Sequence, residues 1–319
     1  MPAGVYATLS TNGSTGNEAT MSATGMGSPT QYNRFNAKRT VGRTGIYAAL
    51  IVWALICLFP LYWTATTSIK PREAVLQGPK YLPWVDFQPD DMGWFPLLYE
   101  PGQRANFLRH FQNTLVVSLA AALLAVALGS LAAYGLSRYR YRYGPYDNKQ
   151  IRNFFLAQLI LPPAAIALPV LLMFVNLGLK DTREGLILIY TVMNLPIVIW
   201  IMFDQFNSIP SELEQAAQVD GSSIWGAFLR IVLPIAAPGL VAAYILTVVL
   251  CWNEYFIALV LASTNAVTLP FLIAGQVSSQ GIKWWTMAAL TCAAIAPLAI
   301  IGVFLERYIV KGLTAGSVK

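Results

Sequence analysis

The chain has 319 residues, 56% of them hydrophobic and 11% charged, with a net charge of +6 and a single histidine, His110. Soluble domains carry about 25% charged residues, so this composition cannot cover a water-soluble globule and assigns an integral membrane protein. One histidine excludes a multi-histidine metal site. The three cysteines, Cys57, Cys251 and Cys292, lie in apolar runs without metal-ligand spacing and read as small buried hydrophobes. The basic excess gathers at 34–43 and 138–152, beside apolar runs, as the positive-inside rule expects of a membrane protein rather than a nucleic-acid binder.

Residues 1–33 are rich in Ser, Thr, Gly and Asn and hold no Lys or Arg. They cannot bury enough apolar surface to offset ordering entropy, and residues 1–40 are expected to form a disordered cytoplasmic tail. Arg34, Lys38, Arg39 and Arg43 then lead into the first of six predicted spans. Hydropathy places the spans at about 46–66, 113–135, 153–176, 185–204, 233–260 and 286–306. Six spans put both termini on one side. The tail, the 136–152 loop, the 205–232 loop and the C-terminus hold 4, 5, 1 and 3 Lys or Arg, against 5, 2 and 1 in the opposite loops. The 5 belongs to a long loop, which counts little, so both ends are expected inside.

In the second span Ala121, Ala125, Gly129 and Ala133 fall four apart, a face on which another helix backbone approaches closely. The third span carries Pro162, Pro163 and Pro169, and Pro196, Pro238 and Pro297 recur later, so several spans are expected to be kinked or broken. Asp204, Glu254 and Glu306 lie near predicted span ends, and none marks a midplane relay of the kind an ion-coupled carrier needs. Between the first two spans, Tyr81, Trp84, Trp94 and several prolines suit a small folded cap.

The 205–233 segment breaks the apolar pattern. Ser211 followed by Glu214 fits a capping box at a helix start. Leu213, Ala216, Ala217 and Asp220 share a face, and Gly221 suits a left-handed helix stop. Trp225, Phe228, Leu229 and Val232 form a second helical stripe before Pro234. Two short amphipathic helices joined at a glycine elbow result. Their acidity disfavours an anionic membrane surface and favours docking onto a protein.

This segment resembles the EAA loop of ABC-importer permeases: EAA, three residues, G, nine residues, I, one residue, LP. Ala216, Ala217, Gly221, Ile231, Leu233 and Pro234 occupy the matching positions, while Gln215 stands where the motif has glutamate. The surrounding "IPSELEQAAQVDG", the C-terminal "RYIVKGLTAGSVK" and, more weakly, "CWNEYFIALVL" resemble the carbohydrate branch and its maltose-importer-type second permease subunit. The resemblance covers about 41–319. It implies an all-α membrane protein of the type I importer permease fold, with a cytoplasmic coupling helix pair and a cytoplasmic tail at about 307–319.

The resemblance further implies one half of a heterodimeric path for a sugar or polyol, working with a homologous permease, an ABC ATPase dimer and an extracytoplasmic solute-binding protein. The chain has no GxxxxGK[ST] phosphate loop, so no cofactor is expected in it, and ATP and Mg belong to the partner ATPase. Leu213, Glu214, Gln215, Ala216, Ala217, Asp220 and Gly221 are the expected ATPase-coupling residues. Tyr190, Asn194, Trp252 and Asn253 are candidates for the substrate path, because aromatics and amides suit hydroxyl-rich ligands. Gln276, Ser278, Ser279 and Gln280 are candidates for the binding-protein contact. The competing class is a self-sufficient secondary carrier or a membrane enzyme. An enzyme needs clustered acid, base or nucleophile, and a carrier shows internal repeats. Neither pattern is found.

Overall fold

The computed structural model describes the backbone of residues 29–278 and 281–314, and the side chains of 43–142, 144–277 and 281–302. Two compact units divide at residue 60. Helix α1 runs Pro29–Thr67, with Pro60 inside it. Its helical start at Pro29 falls within the stretch 1–40 expected as a tail. Residues 1–28 lie outside the described part. Its side chains from Arg43 to Phe59 are all exposed, although the segment is apolar enough to cross a membrane.

In the second unit a cap contains α2 (Arg72–Leu76) and α3 (Phe95–Leu98). Trp94 anchors it: the indole N–H donates to Ser68 Oγ at 3.1 Å, and the ring packs against Leu97, Ala289 and Leu290. Asp86 accepts from the Tyr81 and Leu82 amides and closes a tight loop. Tyr81 and Trp84 remain exposed.

Helix α4 (Pro101–Arg138) is the pillar of the bundle. A two-residue hairpin, β1 (Arg142–Tyr143) with β2 (Tyr146–Asp147), leads to α5 (Asn148–Ala157). A 3₁₀ turn and Pro162 separate α5 from α6 (Pro163–Asn176), and the pair bends by 91°. The break falls at the predicted proline pair, because Pro163 lacks a donor and fits only the first turn of a new helix. Helix α7 (Arg183–Asn207) follows. Helices α8 (Glu212–Val219), α9 (Ile224–Ala227), a π turn at Phe228–Val232 and α10 (Leu233–Ile235) form the next segment. It enters α11 (Ala237–Trp252) through a 73° bend before Pro238. After α11 come α12 (Phe256–Leu261), α13 (Leu269–Ala274), the hairpin β3 (Val277–Ser278) with β4 (Gly281–Ile282), and α14 (Trp284–Thr314).

Among the described residues, four helices are long and apolar enough to cross a membrane, and six if each bent pair is one span. The expected fifth span of 233–260 is corrected: the helix stops at Trp252 and restarts at Phe256. Glu254 causes the restart, its carboxylate accepting from the Ile257 and Ala258 amides at 2.9 and 3.2 Å. Within the expected cytoplasmic tail at 307–319, α14 stays helical to Thr314, and 315–319 lie outside the described residues.

Helix α4 packs chiefly along α7, with α11 against both. The predicted small face makes that seam: Ala121, Ala125 and Ala133 are fully buried. A Cβ on Gly129 would stand 2.6 Å from Val198 Cγ1. Without a hydrophobic drive in lipid, such close approach supplies the association energy through dispersion.

Candidate coupling site and translocation path

The 208–235 segment is fastened to the end of α4 from within. Glu214 is 5% exposed. Its carboxylate accepts from Tyr134 Oη at 2.6 Å and from Arg138 Nε at 2.5 Å. Arg138 also donates to the Ile209 carbonyl at 3.0 Å. The Tyr134 ring lies 4.4 Å from Phe228 and 5.7 Å from Phe206, measured between centroids, so α8, the π turn and α7 meet on one tyrosine. Arg138–Glu214 is the one ion pair among the described residues.

This arrangement corrects the capping box. Ser211 has helical φ and ψ, and its side chain makes no cap bond, because a capping hydroxyl needs extended backbone and Glu214 is engaged elsewhere. The real cap is one helix later: Ser223 Oγ accepts from the Gly226 amide at 3.1 Å. Gly221 behaves as the sequence predicts, with φ +87°. The Gly221 and Ser222 amides donate to the Gln218 and Ala217 carbonyls, a Schellman closure. A Cβ on Gly221 would meet no atom within 4 Å.

The seven expected coupling residues therefore divide. Glu214 and Ala217 are buried against their own chain, while Leu213, Gln215, Ala216, Asp220 and Gly221 are exposed. The second stripe divides likewise: Phe228 and Val232 are buried, while Trp225 and Leu229 are 61% and 55% exposed. Val219, 88% exposed, joins the open face. Sequence reading passed over it, although it lies three residues from Ala216, next to it on the helix surface.

The four path candidates also divide. Tyr190 is 1% exposed and donates to Glu254 Oε2 at 2.7 Å. Asn194 Nδ2 donates to the Tyr190 carbonyl at 2.8 Å and contacts Cys251 Sγ at 3.3 Å. These two brace α7 to the break after α11, and Glu254 is the group sequence reading left out of the set. Trp252 and Asn253 instead line a hollow of about 370 Å³ with Ile273, Met287, Thr291 and Leu298. The Trp252 indole N–H is buried and has no hydrogen-bond partner among the described residues. Asn253 is exposed and donates to the Val249 carbonyl.

At the other end of α4 the first part of the 262–285 loop is held by hydrogen bonds. Asp181, at φ +58°, accepts from the amides of Ser263, Thr264, Asn265 and Ala266 at 2.9 to 3.1 Å. Burial alone raises the Asp181 carboxyl, but these amides outweigh it and bring it down to about 2. Asn113 donates to the Asn265 and Val267 carbonyls and accepts from Arg183. Gln276 is half-buried and donates to the Leu272 carbonyl at 3.2 Å. Ser278 ends β3, and Ser279 and Gln280 lie outside the described residues.

Residues 125–315 match the family described as binding-protein-dependent transport system inner membrane component. The chain is 32% identical over 286 residues to the inner membrane ABC transporter permease protein YcjP of Escherichia coli (strain K12), covering 88% of this chain and 98% of that protein. It is 32% identical over 265 residues to the trehalose transport system permease protein SugB of Mycobacterium tuberculosis (strain CDC 1551 / Oshkosh), covering 82% and 92%. The fold is similar to a chain of a bacterial ABC transporter involved in the import of the acidic polysaccharide alginate. There the TM-score is 0.66 and the identity 24%, over 85% of this chain and 97% of that one. The family match over residues 125–315 and the near full-length identity to permeases lead to one conclusion: the chain belongs to the binding-protein-dependent transport system inner membrane components and is an ABC transporter permease subunit.

Proposed function

We propose that this subunit forms half of the translocation path of an ATP-driven importer for a sugar or polyol, and that α8 and α9 transmit the stroke of a separate ATPase dimer. The observation that carries the reading is the two-sided build of the 211–233 segment. Its inner side is locked to α4 by Glu214, Arg138, Tyr134 and Phe228. Its outer side leaves Leu213, Gln215, Ala216, Val219 and Trp225 uncovered. A force applied to the open side moves the end of α4 as one body. ATP binding drives transport only because one packing of the spans binds the closed ATPase dimer better than the other.

Sugar or polyol as cargo rests on the names of relatives: trehalose for SugB, and trehalose and maltose for the permease MalG of Thermococcus litoralis. Trp252 and Asn253 are the proposed path residues, with the unpartnered indole N–H suited to a sugar hydroxyl. Tyr190 and Asn194 hold that corner in place. The partners in this reading are a homologous permease, the ATPase dimer with ATP and Mg, and an extracytoplasmic solute-binding protein met by Gln276, Ser278, Ser279 and Gln280. Both termini are cytoplasmic.

Affinity purification of the tagged subunit from solubilised membranes tests the reading. Wild type is expected to bring down a P-loop ATPase and a second permease. Gly221→Asp is expected to lose the ATPase while keeping the permease, because its side chain projects from a left-handed elbow into the open face. Recovery of the chain alone, transporting in liposomes without ATP, would falsify it.

A further inference from the structure

The hairpin between α4 and α5 encloses a basic hollow that the coupling mechanism does not use. It measures about 560 Å³ and is lined by Arg140, Arg142, Lys149, Arg152 and Phe203, together with Asp147 and Asn148. Asp147 is the one acid in the lining, and its Oδ1 accepts from the Gln150 amide in a capping box. None of the four cations has a carboxylate within ion-pair distance among the described residues. The Arg152 guanidinium lies 4.8 Å from the Phe203 ring, and its Nε is buried without a hydrogen-bond partner among the described residues.

The hollow is held open by its own hydrogen bonds. Asn148 Nδ2 donates to the Leu136 and Tyr139 carbonyls, and its Oδ1 accepts from the Tyr141 amide at 2.7 Å. Four cations share this hollow with a single carboxylate, so a net positive charge remains there to attract an anion.

The surroundings identify the anion's source. Lys149 and Arg152 are three apart on α5 and share a face. Further along, Phe154, Leu159 and Ile160 are exposed apolar residues, Ile160 at 83%. Tyr139, Tyr141 and Tyr146 are exposed around the hairpin, where tyrosine marks the boundary between hydrocarbon and water. Apolar helix on one side and a tyrosine girdle with unpaired cations on the other put the hollow at headgroup depth. Basic pockets between transmembrane helices bind anionic headgroups, and arginine forks suit phosphate oxygens. We infer that Arg140, Arg142, Lys149 and Arg152 form a binding site for the phosphate of an anionic phospholipid, at the end of the bundle that carries α8. Arg138, two residues before the hollow, holds Glu214, so a lipid bound there steadies the same corner that positions the coupling helices.

Native mass spectrometry of the intact transporter tests this. Wild type is expected to retain phosphatidylglycerol in preference to phosphatidylcholine after detergent washing. Affinity for phosphatidylglycerol should fall by about fivefold for each cation removed in Arg140→Gln, Arg142→Gln and Lys149→Gln. The charge-keeping Arg140→Lys should retain most of it. Equal retention of the two lipids by wild type, or unchanged phosphatidylglycerol retention in the triple variant, overturns the inference. Should the triple variant fail to assemble, wild type alone decides. Bound phosphatidylglycerol that resists inorganic phosphate supports the site. Its displacement by phosphate, or occupation by an acidic segment of a partner subunit, overturns it.

Discussion

Glu214 and Gln215 are adjacent on α8 and face opposite surroundings. Gln215, at the position of the motif glutamate, is on the open side, while Glu214 is enclosed with Tyr134 and Arg138. Removing one member of a buried charge pair leaves the other uncompensated, at a cost of about 3 kcal/mol or more. Glu214→Ala should therefore lower the melting temperature of the solubilised transporter and uncouple ATP hydrolysis from uptake. Gln215→Ala should leave the melting temperature within the scatter of surface substitutions, about 0.5 kcal/mol, and weaken ATPase recovery in the affinity purification. A stable Glu214→Ala variant with normal coupling would show that the Tyr134–Arg138 lock is not the transmitting contact.

At the scale of elements, the α4–α7 seam shows how a membrane helix pair is specified by absence of side chain. Gly129 admits Val198 where no Cβ fits. Gly129→Leu is expected to push α4 from α7 and destabilise the subunit by about 3 kcal/mol, in the upper range for overpacking, read as loss of folded subunit in membranes. Val198→Ala in the same chain should restore part of it by opening room on the facing helix. An unaltered level of folded Gly129→Leu would mean the two helices part without cost. The broken elements follow another logic. Pro162 and Pro163 interrupt α5 and α6 by removing donors, whereas the break after Trp252 needs no proline. There Glu254 replaces the missing backbone partners with its carboxylate and adds a bond from Tyr190.

Across the whole molecule, α4 is clamped by polar clusters at both ends. Asn113 and Arg138 are 25 residues apart on one helix, about 37 Å at helical rise. The first meets the Asp181 cluster through Asn265 and Val267, and the second meets Glu214. The apolar, small-residue middle lies between them, so each clamp can hold its own end while the middle repacks. The Asp181 clamp carries a pH signature. Its folded carboxyl is depressed from 3.8 to about 2, so its stabilisation is complete above about pH 5 and is lost as the pH falls through about 2. Asp181→Asn should melt lower than wild type at neutral pH, and the gap should narrow as the pH falls from about 5 to about 3. A gap that stays constant with pH would show that the charge of Asp181 contributes nothing.

Membrane class, the proline break at 162–163, the small face of α4 and the left-handed elbow at Gly221 were all determined by the sequence itself. Each depends on local physics: apolar length, a missing donor, a missing Cβ. Those are properties of a residue and its near neighbours along the chain. Only the tertiary structure decided that Glu214 turns inward and Gln215 outward, that Tyr190 and Asn194 serve as a brace around Glu254, and that Asp181 gathers four distant amides. The partners of Glu214 lie 76 and 80 residues away, and those of Asp181 lie 82 to 85 away. No helical or strand period reaches that far. A side chain's choice between two polar surroundings is settled by which buried donors the fold brings to it, because leaving a buried charge or donor unmatched costs more than any local cap returns.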